Sequence, residues 1–396
     1  MATADSISDI PAPSPLRDPG LLVFLANTPP EQLEHVLGNL TSSYPAEGLI
    51  VATADAVPPH SWPNLRIVPA PATPHSWMLT PAHFMNAYQL AGENDARAIL
   101  VLGPGAACLR PSALAELANP VIAASTDLAI PCYDLPRHAG LFNSAILYPL
   151  TRALFPSRAR FPLAVDLGLS LRMAERLALA ARRSTAFNQG DALLWPTSEA
   201  AVAGFAVNEF SVGRREIPQP AESDINAILA SVTGSLFADI EAKAAFWQRP
   251  RQFPPPRYPA PQVPATDPAP DIGSMFDAFK LAFANLQEIW SLVLPPNALL
   301  GLKRLSTANA ASFRMPDALW ARIVFDFLLA FRLRTINRGH LLGAFIPLYR
   351  AWVASHFNIT ASGTDPERHI EAAAATFEAE KPYLLSRWRW PDRFNP

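Results

Sequence analysis

Four short runs between Leu21 and Leu102 are apolar at nearly every position: Leu21 to Ala26, Leu49 to Ala54, Leu65 to Val68 and Ala98 to Leu102. A strand with one wet face alternates apolar and polar residues, so continuous apolar runs belong to strands covered on both sides. Helical patterns separate them, near Pro30 to Leu40 and near Pro81 to Ala91. Strand and helix in alternation predict an α/β fold, a doubly wound, mostly parallel sheet with helices on both faces. Two more strands are predicted at Leu128 to Tyr133 and Phe205 to Val212, after which the pattern becomes helical. Ligands of such sheets sit at the carboxyl ends of the strands, which directs attention to the loops after Ala26, Ala54 and Leu102.

Proline divides the chain. Of 396 residues 42 are proline, about twice the usual share. Pro11, Pro13, Pro15 and Pro19 punctuate a stretch with no apolar period, so residues 1–20 read as a flexible arm and structure is predicted to begin at Leu21. Pro250, Pro254, Pro255, Pro256, Pro259, Pro261, Pro264, Pro268 and Pro270 forbid a helix and disfavour a central strand. They mark residues 249–272 as an extended linker between a sheet domain, 21–248, and an all-α C-terminal domain, 273–396. Within the latter, Leu319, Trp320, Ile323, Val324, Phe327, Leu328 and Phe331 recur at helical spacing, with Asp317, Arg322, Asp326 and Arg332 assigned to the other faces. A second helix follows from Leu341 to Val353, predicted to kink at Pro347, and a third from Pro366 to Trp388.

Half of the residues are hydrophobic, which excludes a disordered chain. The 32 Lys and Arg nearly balance the 34 Asp and Glu, so no footprint for nucleic acid follows. Cys108 and Cys132 have neither zinc-ligand nor disulfide spacing and fit a reducing, cytoplasmic setting. No apolar stretch approaches the roughly 18 residues of a membrane span, and the acidic start, Asp5 and Asp9, does not resemble a signal peptide.

The first strand runs into Ala26-Asn27-Thr28-Pro29-Pro30, without a glycine, which excludes the dinucleotide fingerprint and the phosphate loop of nucleotidases. Gly103-Pro104-Gly105, after Leu102, reads as a tight turn. There is no nucleophile elbow and no paired-histidine motif, although His75 and His83 fall near the ligand edge. Asp166 interrupts the apolar run Phe161 to Ser170, and Asp191 follows Asn188-Gln189-Gly190. Both read either as helix N-caps or as two carboxylates meeting over one cleft.

The segment Tyr148-Pro-Leu-Thr-Arg-Ala-Leu-Phe155, with Phe161-Pro-Leu-Ala-Val-Asp166-Leu-Gly168-Leu-Ser170, resembles the GT-A glycosyltransferases related to mannosylglycerate synthase and glucosyl-phosphoglycerate synthase. The stretches Phe313 to Asp326, Gly339 to Leu342 and Lys381 to Leu384 resemble that group's helical tail. The resemblance implies a GT-A-like sheet domain, a nucleotide-sugar donor, a divalent metal such as Mg or Mn held by an Asp-x-Asp motif, and Asp166 and Asp191 at acidic acceptor-side and catalytic positions. Against it, the metal motif reads Gly103-Pro104-Gly105, the family's lysine turn reads Leu79 to Asn86 around His83, and its metal histidine is replaced in Gly213-Arg214-Arg215-Glu216. No metal or other cofactor is therefore expected. Asn27, His83, Gly103, Gly105, Arg214 and Arg215 remain as substrate-binding candidates beside Asp166 and Asp191. Two readings follow: an altered, non-catalytic member, binding a sugar nucleotide, a paralogous partner or a second copy of itself; or a metal-independent retaining enzyme with a small acidic acceptor, Arg214 and Arg215 clamping the diphosphate.

Overall fold

The computed structural model describes residues 20–55, 62, 64–73, 76–136, 138–186, 193–215, 225–250 and 271–391. The sheet half runs β1 (Leu21–Leu25), α1 (Pro30–Ser43), β2 (Leu49–Thr53), β3 (Arg66–Pro69), α2 (Pro81–Glu93), β4 (Ala98–Leu102), α3 (Pro111–Ile122), β5 (Leu128–Asp134), α4 (Tyr148–Leu154), β6 (Leu167–Ser170), α5 (Leu171–Ala186), α6 (Pro196–Ala203) and β7 (Val207–Arg214). Helices follow: α7 (Ile225–Ala242), α8 (Ala244–Trp247), α9 (Ile272–Ser291), α10 (Pro296–Ser306), α11 (Asp317–Leu333), α12 (Arg338–Ala361) and α13 (Pro366–Arg389).

The seven strands lie in the order β3-β2-β1-β4-β6-β5-β7. All pairings are parallel except those of β6, which runs antiparallel between β4 and β5. Helices α1 and α3 pack together over the sheet, and α2 and α5 pack together as a second pair. The mostly parallel, doubly wound sheet followed by an all-helical region is the architecture that the apolar runs imply. Its strands β1, β2 and β4 are buried at every position.

Strand β6 is not among the strands that the apolar runs predict. Asp166-Leu-Gly168 reads in sequence as the approach to a helix, but four residues of strand intervene before α5 begins. Asp166 is thus no helix cap. Gly168 in β6 lies beneath α3: a Cβ there would stand 2.2 Å from the Leu117 carbonyl oxygen and 3.0 Å from Ala129 Cβ.

Many prolines outside the linker start helices. Pro30, Pro81, Pro111, Pro196, Pro296 and Pro366 each open one, where the missing N–H has no carbonyl to meet and the fixed φ suits the first turn. Helix α12 continues through Pro347. Residues 1–19 of the predicted arm and 251–270 of the predicted linker fall outside the described residues.

The apolar interior has two principal parts. One lies between the sheet and α1, α2, α3 and α5. The other joins α11, α12 and parts of α9, α10 and α13 to residues 141–155 and to Val232, Leu236, Phe237, Ile240 and Trp247. It therefore draws on chain from both sides of the proline-rich stretch. Trp320 Nε1 donates to the Ala145 carbonyl at 2.9 Å across this seam. Arg152 of α4 reaches Glu371 at 2.6 Å and Glu378 at 2.8 Å on α13, so the segment with the family-like Tyr148 to Phe155 pattern is where the helical tail is fastened. Asp326 corrects the sequence reading of α11: it is 1% exposed, bonded to Tyr383 Oη at 2.9 Å and paired with Arg387 at 3.1 Å. Burial pushes its carboxyl up to about 7. No helix among the described residues is long and apolar enough to cross a membrane.

Replacing Gly168 by Ala should lower stability by about 1–3 kcal/mol, the usual penalty of overpacking, read as a reduced urea midpoint with an unchanged slope. An unchanged midpoint would show that α3 does not lie on β6 in this way.

Candidate functional site

Because β6 is antiparallel, the residue before it arrives at the edge where the parallel strands end. Asp166 therefore meets the carboxyl ends of β4, β5 and β7. Its Oδ1 accepts from Gly103 N at 3.1 Å and Arg215 Nη2 at 3.1 Å. Its Oδ2 accepts from Tyr133 Oη at 3.0 Å and Arg215 Nε at 2.8 Å. Arg215 Nη2 also donates to the Pro104 carbonyl at 2.9 Å, and Nη1 lies 3.6 Å from Cys108 Sγ. Burial, with the Asp166 charge beside it, holds the Tyr133 phenol well above its ordinary range, so its hydroxyl stays a donor.

This geometry corrects two assignments. Asp166 is 0% exposed and Arg215 is 1% exposed. With two donors on each oxygen, Asp166 has no acceptor direction left for a sugar hydroxyl or a proton transfer. Arg215 faces inward and clamps Asp166, not a diphosphate. The pair is a bidentate guanidinium–carboxylate fork that fastens the strand ends.

Gly103, in the turn after β4, serves the same joint. A Cβ on Gly103 would approach Val165 Cβ to 2.7 Å, and its N–H is spent on Asp166. Gly105 adopts φ 78° ahead of the short turn Ala106–Cys108, a left-handed conformation natural to glycine. The N–H of Gly103 is therefore not open to a phosphate.

On the β1 side the structure brings Asn27 and His83 together through Thr73. Thr80 N donates to His83 Nδ1 at 2.9 Å, which leaves the ring proton on Nε2, 2.8 Å from Thr73 Oγ1. Thr73 reaches Asn27 Oδ1 at 3.4 Å, and Asn27 Nδ2 donates to the Ser76 carbonyl at 3.0 Å. His83 thus completes the capping box of α2 and is 1% exposed, which corrects its assignment as a substrate contact. Asn27, with φ 52°, remains half-buried in the loop after β1.

Arg214 is exposed at the end of β7, in register with Asp134 of β5. Asp191 and His75 lie outside the described residues. Sequence reasoning missed Tyr133 and Arg110. Tyr133 reads as one more apolar strand residue, and Arg110 as a surface charge before α3. Gly213, at φ 76°, makes room for Arg110: a Cβ there would stand 3.0 Å from Arg110 Nη2.

Among the described residues this edge gathers no ligand set for a divalent metal. The turn after β4 carries no carboxylate, the oxygens of Asp166 are saturated by donors, and no group of three or more His, Cys, Asp or Glu among the described residues could hold an ion. What the edge does present is a fixed, internally neutralised floor, with Asn27, Arg110 and Arg214 at its rim.

Burial lowers His83 to about 4, against about 6.5 in an unfolded chain. Acidification from pH 7 to 4 should therefore destabilise the fold by about 3 kcal/mol through this group. The loss of urea midpoint over that range should shrink in His83→Gln; an equal loss in both proteins would refute it. Arg215→Met strands the Asp166 charge and should cost about 3–5 kcal/mol, with Arg215→Met/Asp166→Leu recovering a good part. A double variant no more stable than the single one would contradict the pairing.

No known protein family matches the chain, and neither does any curated protein. Among solved structures, glucosyl-3-phosphoglycerate synthase from Mycobacterium tuberculosis, in complex with Mn2+, UDP-glucose and phosphoglyceric acid, is similar at 14% identity. That match covers 55% of this chain and 78% of that one, with a TM-score of 0.36. Mannosyl-3-phosphoglycerate synthase from Rubrobacter xylanophilus is similar at 10% identity over 61% of this chain and 78% of that one, with a TM-score of 0.39.

Proposed function

We propose that this chain is a glycosyltransferase-like protein that binds a nucleotide sugar along the carboxyl edge of its sheet and does not run metal-dependent transfer. The reading draws on the family-like segments from Tyr148 to Ser170 and on the doubly wound sheet, whose ligand edge lies at the strand ends. The observation that carries the altered chemistry is the Asp166–Arg215 fork with its bond to the Pro104 carbonyl. In metal-dependent sugar transfer a divalent ion neutralises the departing diphosphate. Here Asp166 is neutralised by a guanidinium of the chain itself, and the turn after β4 is Gly103-Pro104-Gly105.

Asn27 and Arg214 are the proposed ligand contacts at the rim, and Asp191 the proposed carboxylate toward the sugar. Arg214 supplies a charge-assisted donor to phosphate oxygens. The diphosphate of the bound nucleotide sugar would be held without a metal bridge, by Asn27 and Arg214.

Thermal shift and product release test this together. UDP-glucose and GDP-mannose should be offered with Mn2+ and with a chelator. The expected result is stabilisation by at least one nucleotide sugar, equal in both conditions, with no nucleoside diphosphate released. Release that requires Mn2+ would overturn the reading, and so would the absence of any shift.

A further inference from the structure

A second concave site lies away from the strand ends, at the seam between the sheet half and the helices. It is a cavity of about 690 Å³ walled by α5, α6, α7 and the start of α12, a volume within the usual range for small-molecule sites. Four cations line it: Arg176, Arg183, Lys243 and Arg338. Two of its lining residues are acidic, Glu199 and Asp239, and Glu241 stands beside it. Cations thus outnumber carboxylates by one.

Lys243 is fully committed. It reaches Glu199 at 2.8 Å and Ser198 Oγ at 2.7 Å and is also paired with Asp239. The arginines are not. Arg176 Nε is 2.8 Å from Glu199 Oε2, and Arg338 Nη2 is 3.2 Å from Glu241 Oε2, its guanidinium 3.9 Å from the Phe331 ring centre. Among the described residues, the Nη nitrogens of Arg176 and Nη1 of Arg338 have no hydrogen bond, and Arg183 has no ion-pair partner. Arg183 is exposed in the last turn of α5. Three guanidinium groups therefore bring unspent donors to one concavity whose base is already neutralised.

We infer that this cavity binds a small organic phosphate ester, its phosphate held by Arg183 and Arg338 with Arg176 beside them. A phosphate presents three oxygens, each able to accept more than one bond, which is what several planar N–H forks at one mouth can satisfy. The organic part would lie against the mixed wall at the seam, where it touches α7 and α12 at once. Loading the cavity thus links the sheet half to the helical core.

Calorimetric titration of the full chain with glycerol 3-phosphate, inorganic phosphate and succinate tests this. Glycerol 3-phosphate should bind saturably, inorganic phosphate more weakly at the same site, and succinate more weakly still. Arg183→Gln and Arg338→Gln should each weaken glycerol 3-phosphate at least tenfold. Because Arg183 has no ion-pair partner among the described residues, its variant should melt as the parent does and decides the matter even if Arg338→Gln folds poorly. Absence of saturable binding, unchanged affinity in Arg183→Gln, or succinate binding as tightly as the phosphate ester would overturn the inference.

Discussion

The ion pair between Asp166 and Arg215 holds the carboxyl edge of the sheet together. It engages the end of β4 through Gly103 and Pro104, β5 through Tyr133, the start of β6 through Asp166 itself and the end of β7 through Arg215. Removing both charges from water is costly, and the cost is offset only because each carboxylate oxygen has two donors and the guanidinium has carbonyl acceptors as well. Such an arrangement tolerates little intermediate change. Losing one member leaves a buried charge, and admitting water or an ion would require the strand ends to separate. The chemistry of the edge is accordingly set by this pair before any ligand arrives.

Periodicity revealed the elements whose burial is uniform. β1, β2 and β4 are apolar throughout, and α11 shows its stripe, because each satisfies a local rule that the sequence displays directly. β6 escaped for a physical reason: it is four residues long, contains a glycine and lies directly against a helix, so its signal is that of a turn. Asp326 escaped because a helix packed on several sides has no polar face to spare, and its carboxylate is answered by Tyr383 and Arg387 from α13, 57 and 61 residues away in sequence. The pairing that turns a charged residue into an interior one is tertiary information.

The candidate site was legible in location and not in role. Strand ends can be read from sequence, and Asn27, Gly103, Asp166 and Arg215 do gather there. Which of them face a ligand depends on the partner each one finds. Asp166 and Arg215 find each other across 49 residues, and His83 finds Thr80 and Thr73. A residue type that suits catalysis suits equally well an internal clamp, and only the count of donors against acceptors separates the two. Proline behaves alike: Pro30 and Pro81, which fall in loops of the ligand edge by sequence, are the first residues of helices.

The second core has a consequence for how this chain can be divided. Trp247 and Phe237, encoded before the prolines, are buried against residues encoded after them, Trp388 and Phe331 among these. A fragment ending near residue 250 would carry half of a core open to water, and its complement would carry the other half. The two pieces are related as the subunits of an obligate dimer are, each covering apolar surface that the other would otherwise expose. The gene joins in one chain what physically is an interface, and cleavage in the stretch between would leave two chains that remain one molecule.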